Sequence, residues 1–319
     1  MALSEKLKQR FCKDNKLNIQ LFAEPYFEER VEAFGQLDKY REFERLINER
    51  FSGNEELYFE HYNNVKDTII NYIKASEVYQ ALQSVDMNKY TCMYNIRQSD
   101  VYKQPNIGHK FISIDMSKAN FSTLVYFAKQ NNVEFCESYD WEDFISRFTD
   151  IEHIKESKYI RQVVFGNCNP KRQVTYEKYL MSKVLDKLII NLQLFSINDV
   201  YSLCSDEIII NADNLSEIDV AKIEDHVNKI SKYYIPLTFE YYTLGNVKGT
   251  DAYIKKIHNK NNEIKLKCAG PIESLFIVKR IKGLPIEDND FIFKYGDDLC
   301  EILSKTKYCL LSFNFKQYK

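Results

Sequence analysis

The chain has 319 residues, with 44 lysines and arginines against 46 aspartates and glutamates, giving a formal net charge of -2. A content of 45% hydrophobic and 28% charged residues belongs to a globular protein with a real core and excludes a wholly disordered chain or a collagen-like fibre. The balanced charge excludes a histone-like polycation but permits a local basic groove, because a sum says nothing about distribution. Eight cysteines, at 12, 92, 136, 168, 204, 268, 300 and 309, include no CxxC pair and are read as reduced thiols, mostly in the core. No apolar run approaches the roughly 18 residues of a membrane span, so a cytoplasmic, non-membrane protein is expected. Only 9 glycines amid abundant Asn, Lys, Ile, Tyr and Phe point to an AT-rich genome, bacterial, phage or viral.

Residues 25–51 place Phe27, Val31, Phe34, Leu37, Tyr40, Phe43 and Ile47 three or four apart between Glu and Arg, which predicts one amphipathic helix. Leu57, Val65, Ile69, Ile73, Val78 and Leu82 continue that style over 55–85, so the first hundred residues are expected to be helical with solvated charged faces. No catalytic pattern appears there. After Pro105, residues 110–115 (KFISID) read as a short strand and 117–130 as the following helix. Helices are predicted over 139–148, 154–165 and 173–190, the last two separated by the breaker Gly166-Asn-Cys-Asn-Pro170. The β-prone runs 199–204 and 208–211 flank Ser205-Asp206-Glu207, a hairpin with an acidic tip. Ser216-Glu-Ile-Asp219 opens another helix in capping-box style, ended by Pro236. Strands are expected over 237–242, 252–258 and 263–268, and the last fifty residues mix short strands with one helix near 299–305. The predicted organisation is a helical accessory region 1–104, a core 105–235 and a β-containing region 236–319.

An Asp closing a strand (Asp115) and an Asp-Glu pair at a hairpin tip (Asp206, Glu207) bring carboxylates together if the strands share a sheet. Converging hard oxygen ligands suit Mg²⁺ or Mn²⁺, and two such ions activate an attacking hydroxyl and stabilise leaving pyrophosphate in an in-line displacement. A strand-end Asp alone commonly makes an Asx turn, and the acids together read alternatively as solvated turn residues. Lys158 and Arg161, three apart on one helical face, suit phosphate and equally an ion pair with Glu152 or Glu156. Lys171 and Arg172, at a helix start, read as contacts to nucleic-acid phosphate or as a solvated loop. Lys255, Lys256, Lys265 and Lys267, with Lys279, Arg280 and Lys282, read as a basic surface of strands and turns tracking a duplex backbone or as a lysine-protected sheet edge. The five histidines lack metal-ligand spacing, and Trp141 is expected in the core. Gly-rich phosphate loops, GxSxG elbows and HExxH helices are absent from the sequence, which argues against common NTPases, hydrolases and zinc peptidases.

The segment 111–124, FISIDMSKANFSTL, resembles motif A of template-directed polymerases, most closely family A, where a strand-closing Asp is followed two residues later by Ser. CSDEIII at 204–210 resembles motif C of that family, and SKYIRQVVFG at 157–166 resembles a reduced motif B, so the order A, B, C is that of the family. The likeness spans roughly residues 108–235. It departs where Ser205 replaces a His, where motif B lacks the usual spacing, and where Asn120 replaces the bulky or acidic residue that excludes a ribose 2′-hydroxyl. The resemblance implies an α+β fold with a polymerase-like palm carrying an antiparallel sheet, and metal-dependent nucleotidyl transfer on nucleic acid. Asp115 and Asp206 would ligate Mg²⁺ or Mn²⁺ with support from Glu207. Lys158 and Arg161 would neutralise the nucleoside triphosphate, Ser117 and Asn120 would contact substrate with Asn120 beside the sugar, and the C-terminal region would act as a thumb-like platform. Two other functions stay open: a non-catalytic palm-like replication or virion component that binds nucleic acid or protein, and a cyclase or dinucleotide synthase.

Overall fold

The computed structural model describes residues 3–18, 24–96, 98–296, 298–303 and 305–316. Helices α1 (Glu5–Asp14), α2 (Phe27–Ala33), α3 (Leu37–Phe51), α4 (Glu55–Ala75) and α5 (Glu77–Ser84) form the N-terminal region. Ser4, Asn54 and Ser76 cap α1, α4 and α5 by accepting main-chain N–H groups, which satisfies donors the first helical turn leaves unpaired. The stretch predicted as one helix over 25–51 is two, because Gly35 takes φ +72° between α2 and α3, a left-handed turn that costs glycine little. The apolar faces converge on an aromatic cluster, with Phe11 5.2 Å from Tyr40 and Phe43 5.5 Å from Tyr58 between ring centres.

The chain then alternates β1 (Lys110–Met116), α6 (Ala119–Gln130), α7 (Trp141–Ile145), α8 (Glu152–Glu156), α9 (Lys158–Gly166), α10 (Pro170–Leu192), β2 (Val200–Leu203), β3 (Glu207–Asn211), α11 (Glu217–Tyr233), β4 (Leu237–Val247), β5 (Tyr253–Ile257) and β6 (Glu263–Lys267). The sheet order is β2-β3-β1-β4-β5-β6, with every pairing antiparallel. The protein is thus α+β. Within it, β1, β2, β3, α11 and β4 follow the strand order of a split βαβ unit. Ile112, Ile114, Met116, Ile208, Ile210, Phe239 and Tyr241 face a core shared with α6, α10, α11 and the N-terminal helices. Alternate residues Phe111, Ile209, Tyr242, Leu244 and Ile257 pack on the opposite face with Val101, as the two-residue strand period requires. Trp141 is fully buried between Phe121 and Phe165, as expected.

Several expected boundaries move. Position 235 falls just before β4, which pairs with β1 over seven residues, so the sheet runs unbroken across it. The helix expected over 154–165 is interrupted at Ser157, which is extended and caps α9 through Ile160 N. Lys279, Arg280 and Lys282 lie on α12 (Pro271–Lys282) rather than on strands and turns. Pro271 in its first turn and Gly283 just beyond its end are the punctuation that sequence offers for such a helix. Leu299 belongs to β8 (Asp298–Glu301), paired with β7 (Ile292–Tyr295), and the helix near it is α13 (Lys305–Cys309). The short β9 (Phe313–Asn314) pairs with β4. All eight cysteines are free, but only Cys12, Cys136 and Cys168 are buried. No helix among the described residues is long and apolar enough to cross a membrane.

Candidate active site

The β1–β3 ladder places Asp115 opposite Glu207 and continues one step further, Met116 N donating to the carbonyl of Asp206 at 2.8 Å. The hairpin tip is therefore fixed by main-chain bonds against the end of β1, as convergence of the acids demands. The hairpin itself is closed by Cys204 N donating to Glu207 O at 2.9 Å, and Ser205 Oγ donates to Asp206 Oδ1 at 3.3 Å. Directly opposed residues on antiparallel strands share a face, so Asp115 and Glu207 lie on the face opposite Ile114 and Ile208. Burial pushes the Asp115 carboxyl up, and the charges of Asp206 and then Glu207 push it further, to about 7; Lys158 and Lys255 act in the opposite sense. Glu207 is engaged elsewhere, accepting Ser113 Oγ at 2.5 Å.

A residue that sequence patterning missed completes the acidic group. Glu177 on α10 is 2% exposed and accepts Asn120 Nδ2 at 3.1 Å. Burial first, then the charge of Asp206, raises its carboxyl to about 7, with the Asn120 bond opposing. The signal was present in the stripe Gln173, Glu177, Leu180, Val184 and Leu188, whose spacing puts two polar residues on the buried face of the helix. Asn120 is thus held toward the acids by Glu177. Ser117 lies at the turn after β1, its N–H donating to Pro236 O at 3.0 Å and its carbonyl accepting Ser122 Oγ at 2.6 Å.

Lys158 and Arg161 lie half-buried on α9, with Lys158 near enough to act on Asp115. The ion pairs that were the alternative for them do not form among the described residues: Glu152 pairs with Lys155 and Glu156 with Lys39. Arg161 has its pKa lowered by burial, against the more remote charge of Glu142. Lys16, just past α1, adjoins Lys158. Its pKa falls to about 8 through partial burial, then contact with Lys158 and the charges of Arg161 and Lys267. The first hundred residues, which carried no recognisable pattern, therefore contribute a cation here.

The other basic residues separate. Register sets Lys255 against Lys265 and Tyr253 against Lys267, so Lys255, Lys265 and Lys267 share a face while Lys256 points to the opposite one. Lys255 is buried 3.6 Å from Glu240 and 4.2 Å from the Tyr242 ring centre. Lys265 bonds the same Glu240 at 2.6 Å. The four lysines thus form no single surface. Arg172 donates from Nε to Leu82 O at 2.8 Å and also to Val85 O, closing the end of α5; Lys171 beside it is exposed. Lys279 is buried against Asp290 at 2.6 Å.

Among the described residues, no three His, Cys, Asp or Glu side chains form a ready-made metal cage. Two carboxylates with phosphate and water completing the shell still match the way Mg²⁺ is usually held. A half-open cleft of about 490 Å³ lies on the other side of α9, lined by Asp14, Lys39, Phe43, Arg50, His153 and Ser157. No protein-family model matches the chain, and no curated protein matches it significantly.

Proposed function

We propose that the chain is a metal-dependent nucleotidyltransferase of polymerase palm type, acting on nucleic acid with nucleoside triphosphates. The observation that carries this reading is the ladder bond from Met116 to Asp206, which fixes the hairpin tip beside Asp115. Two acids in that relation, in a split βαβ sheet and flanked by cations without carboxylate partners, suit in-line transfer of a nucleotidyl group. Asp115 and Asp206 would hold Mg²⁺ or Mn²⁺, which when bound supplies Lewis-acid stabilisation of the phosphoryl oxygens and a more acidic attacking hydroxyl.

The protein's own groups do the rest. Lys158 and Arg161 compensate charge that builds on the phosphate oxygens, and Arg161 has the planar fork suited to two of them. Glu177 orients Asn120, whose carbonyl oxygen is left to accept from a sugar hydroxyl. Glu207, tied to Ser113 and near Lys255, steadies the hairpin tip.

Primer extension on DNA and RNA templates, with dNTPs or NTPs and Mg²⁺ or Mn²⁺, tests the reading. Product that lengthens only with template and primer supports it. Product formed from NTPs alone would reassign the site to cyclisation or dinucleotide synthesis, and folded protein that binds nucleic acid without making product would reassign it to binding.

A further inference from the structure

Three segments distant in sequence deliver cations to one place: Lys16 after α1, Lys158 and Arg161 on α9, and Lys267 at the end of β6. The neighbouring ion pairs, Lys118 with Asp140 and Glu142 and Lys155 with Glu152, leave all four out. The charges of Asp115 and Glu142 reach Lys158 and Arg161, but no carboxylate among the described residues forms an ion pair with any of the four, and like charges gathered in this way repel one another, a repulsion that a multiply charged anion relieves. The cluster is built rather than incidental. Asp14, 5% exposed, accepts Ser157 Oγ at 2.8 Å, His153 Nε2 at 3.0 Å and Tyr62 OH at 3.5 Å. Ser157 immediately precedes Lys158, and Asp14 stands two residues before Lys16. A second tie lies alongside, the Arg10 guanidinium over the Tyr159 ring at 5.0 Å. Lys16 leaves α1 with φ +57°, which turns the chain out of the helix at this point.

We propose that this cluster is a polyphosphate-binding site gripped between α1 and α9, and that Asp14 and Ser157 are positioning residues which hold its two halves together. The site takes the anionic tail of a nucleoside triphosphate, or released pyrophosphate, through charge and donor geometry. It rests on the nucleotidyl-transfer reading only for the nucleoside to which the tail is attached. The N-terminal helices are then part of the substrate site rather than an accessory.

The test is calorimetric titration of the full chain with sodium tripolyphosphate in EDTA, so that no metal joins the anion to Asp115 or Asp206. Lys16→Ala and Lys158→Ala should each weaken binding about tenfold, the scale of one charge-assisted contact. Lys13→Ala, which removes an exposed cation from the same helix, should leave it unchanged. Ser157→Ala should weaken binding although it removes no charge, and Ser157→Thr, which keeps the hydroxyl, should restore it. Unchanged affinity in Lys16→Ala, or an equal loss in Lys13→Ala, overturns the site. Asp115→Asn should still bind tripolyphosphate. Binding by the wild type without any primer extension would sink the catalytic reading and leave this site standing, whereas extension with Lys16→Ala fully active and equal in tripolyphosphate affinity would do the reverse.

Discussion

Replacing Asp115 by Asn should stabilise the metal-free protein at alkaline pH. The folded Asp115 carboxyl sits at about 7 against an ordinary value of 3.8, so the folded state binds this proton more tightly than the unfolded state. Its contribution is therefore fully present below about pH 4 and is lost as pH rises to about 7. A rise of that size corresponds to about 4 kcal/mol at ~1.4 kcal/mol per tenfold change in proton affinity. Partial exposure of the carboxylate reduces this to about 2 kcal/mol. Urea unfolding in EDTA should show the wild type losing stability between pH 4 and 7.5, with Asp115→Asn flatter and about 2 kcal/mol more stable at pH 8, or about 3–5 °C in Tm. Millimolar Mg²⁺ at pH 8 should raise the wild-type Tm and leave the variant unmoved, since a ligand stabilises only the state that binds it. The reasoning fails if the variant is the less stable protein at pH 8, or if both share one pH slope.

The remaining acids should separate by what already holds them. Asp206→Asn should lower primer extension by about 10²–10³, while Glu207→Gln, whose carboxylate is already bonded to Ser113, should stay within about tenfold of wild type. Arg172→Ala should cost about 1–3 kcal/mol in urea unfolding, because two carbonyls at the end of α5 lose their donor, with nucleic-acid affinity unchanged. Lys279→Ala should cost about 3–5 kcal/mol by stranding Asp290 in the interior, while Lys279→Met with Asp290→Leu should recover most of that loss.

The hairpin and its acids were legible because strand period and turn position both follow from local residues: Ile208, Ile209 and Ile210 mark β3, and Ser205-Asp206 can only be its turn. Pairing with β1 was legible only as a condition, since nothing local to Asp115 names its partner strand. Lys255 and Lys256 were readable as opposed by parity alone, and treating them as one surface ignored that period. Glu177 also left a trace, as an acid on an apolar stripe. Other features left none. Lys16 becomes part of the site through the Asp14–Ser157 bond, which joins residues 143 apart in sequence. Arg172 read as a phosphate contact or a loop residue, and its engagement depends on where α5 ends in space. That the sheet continues across position 235 was illegible for the same reason: a helix-to-strand change in texture marks an element, and only pairing decides which sheet receives it.

The most direct test of the central claim is electron paramagnetic resonance of Mn²⁺ bound to the protein with a non-hydrolysable nucleoside triphosphate. Two exchange- or dipole-coupled ions, about 3.5–4 Å apart, present in the wild type and lost in both Asp115→Asn and Asp206→Asn, are the predicted result. A Mn²⁺ signal indifferent to both substitutions, in protein that remains folded, would contradict the account.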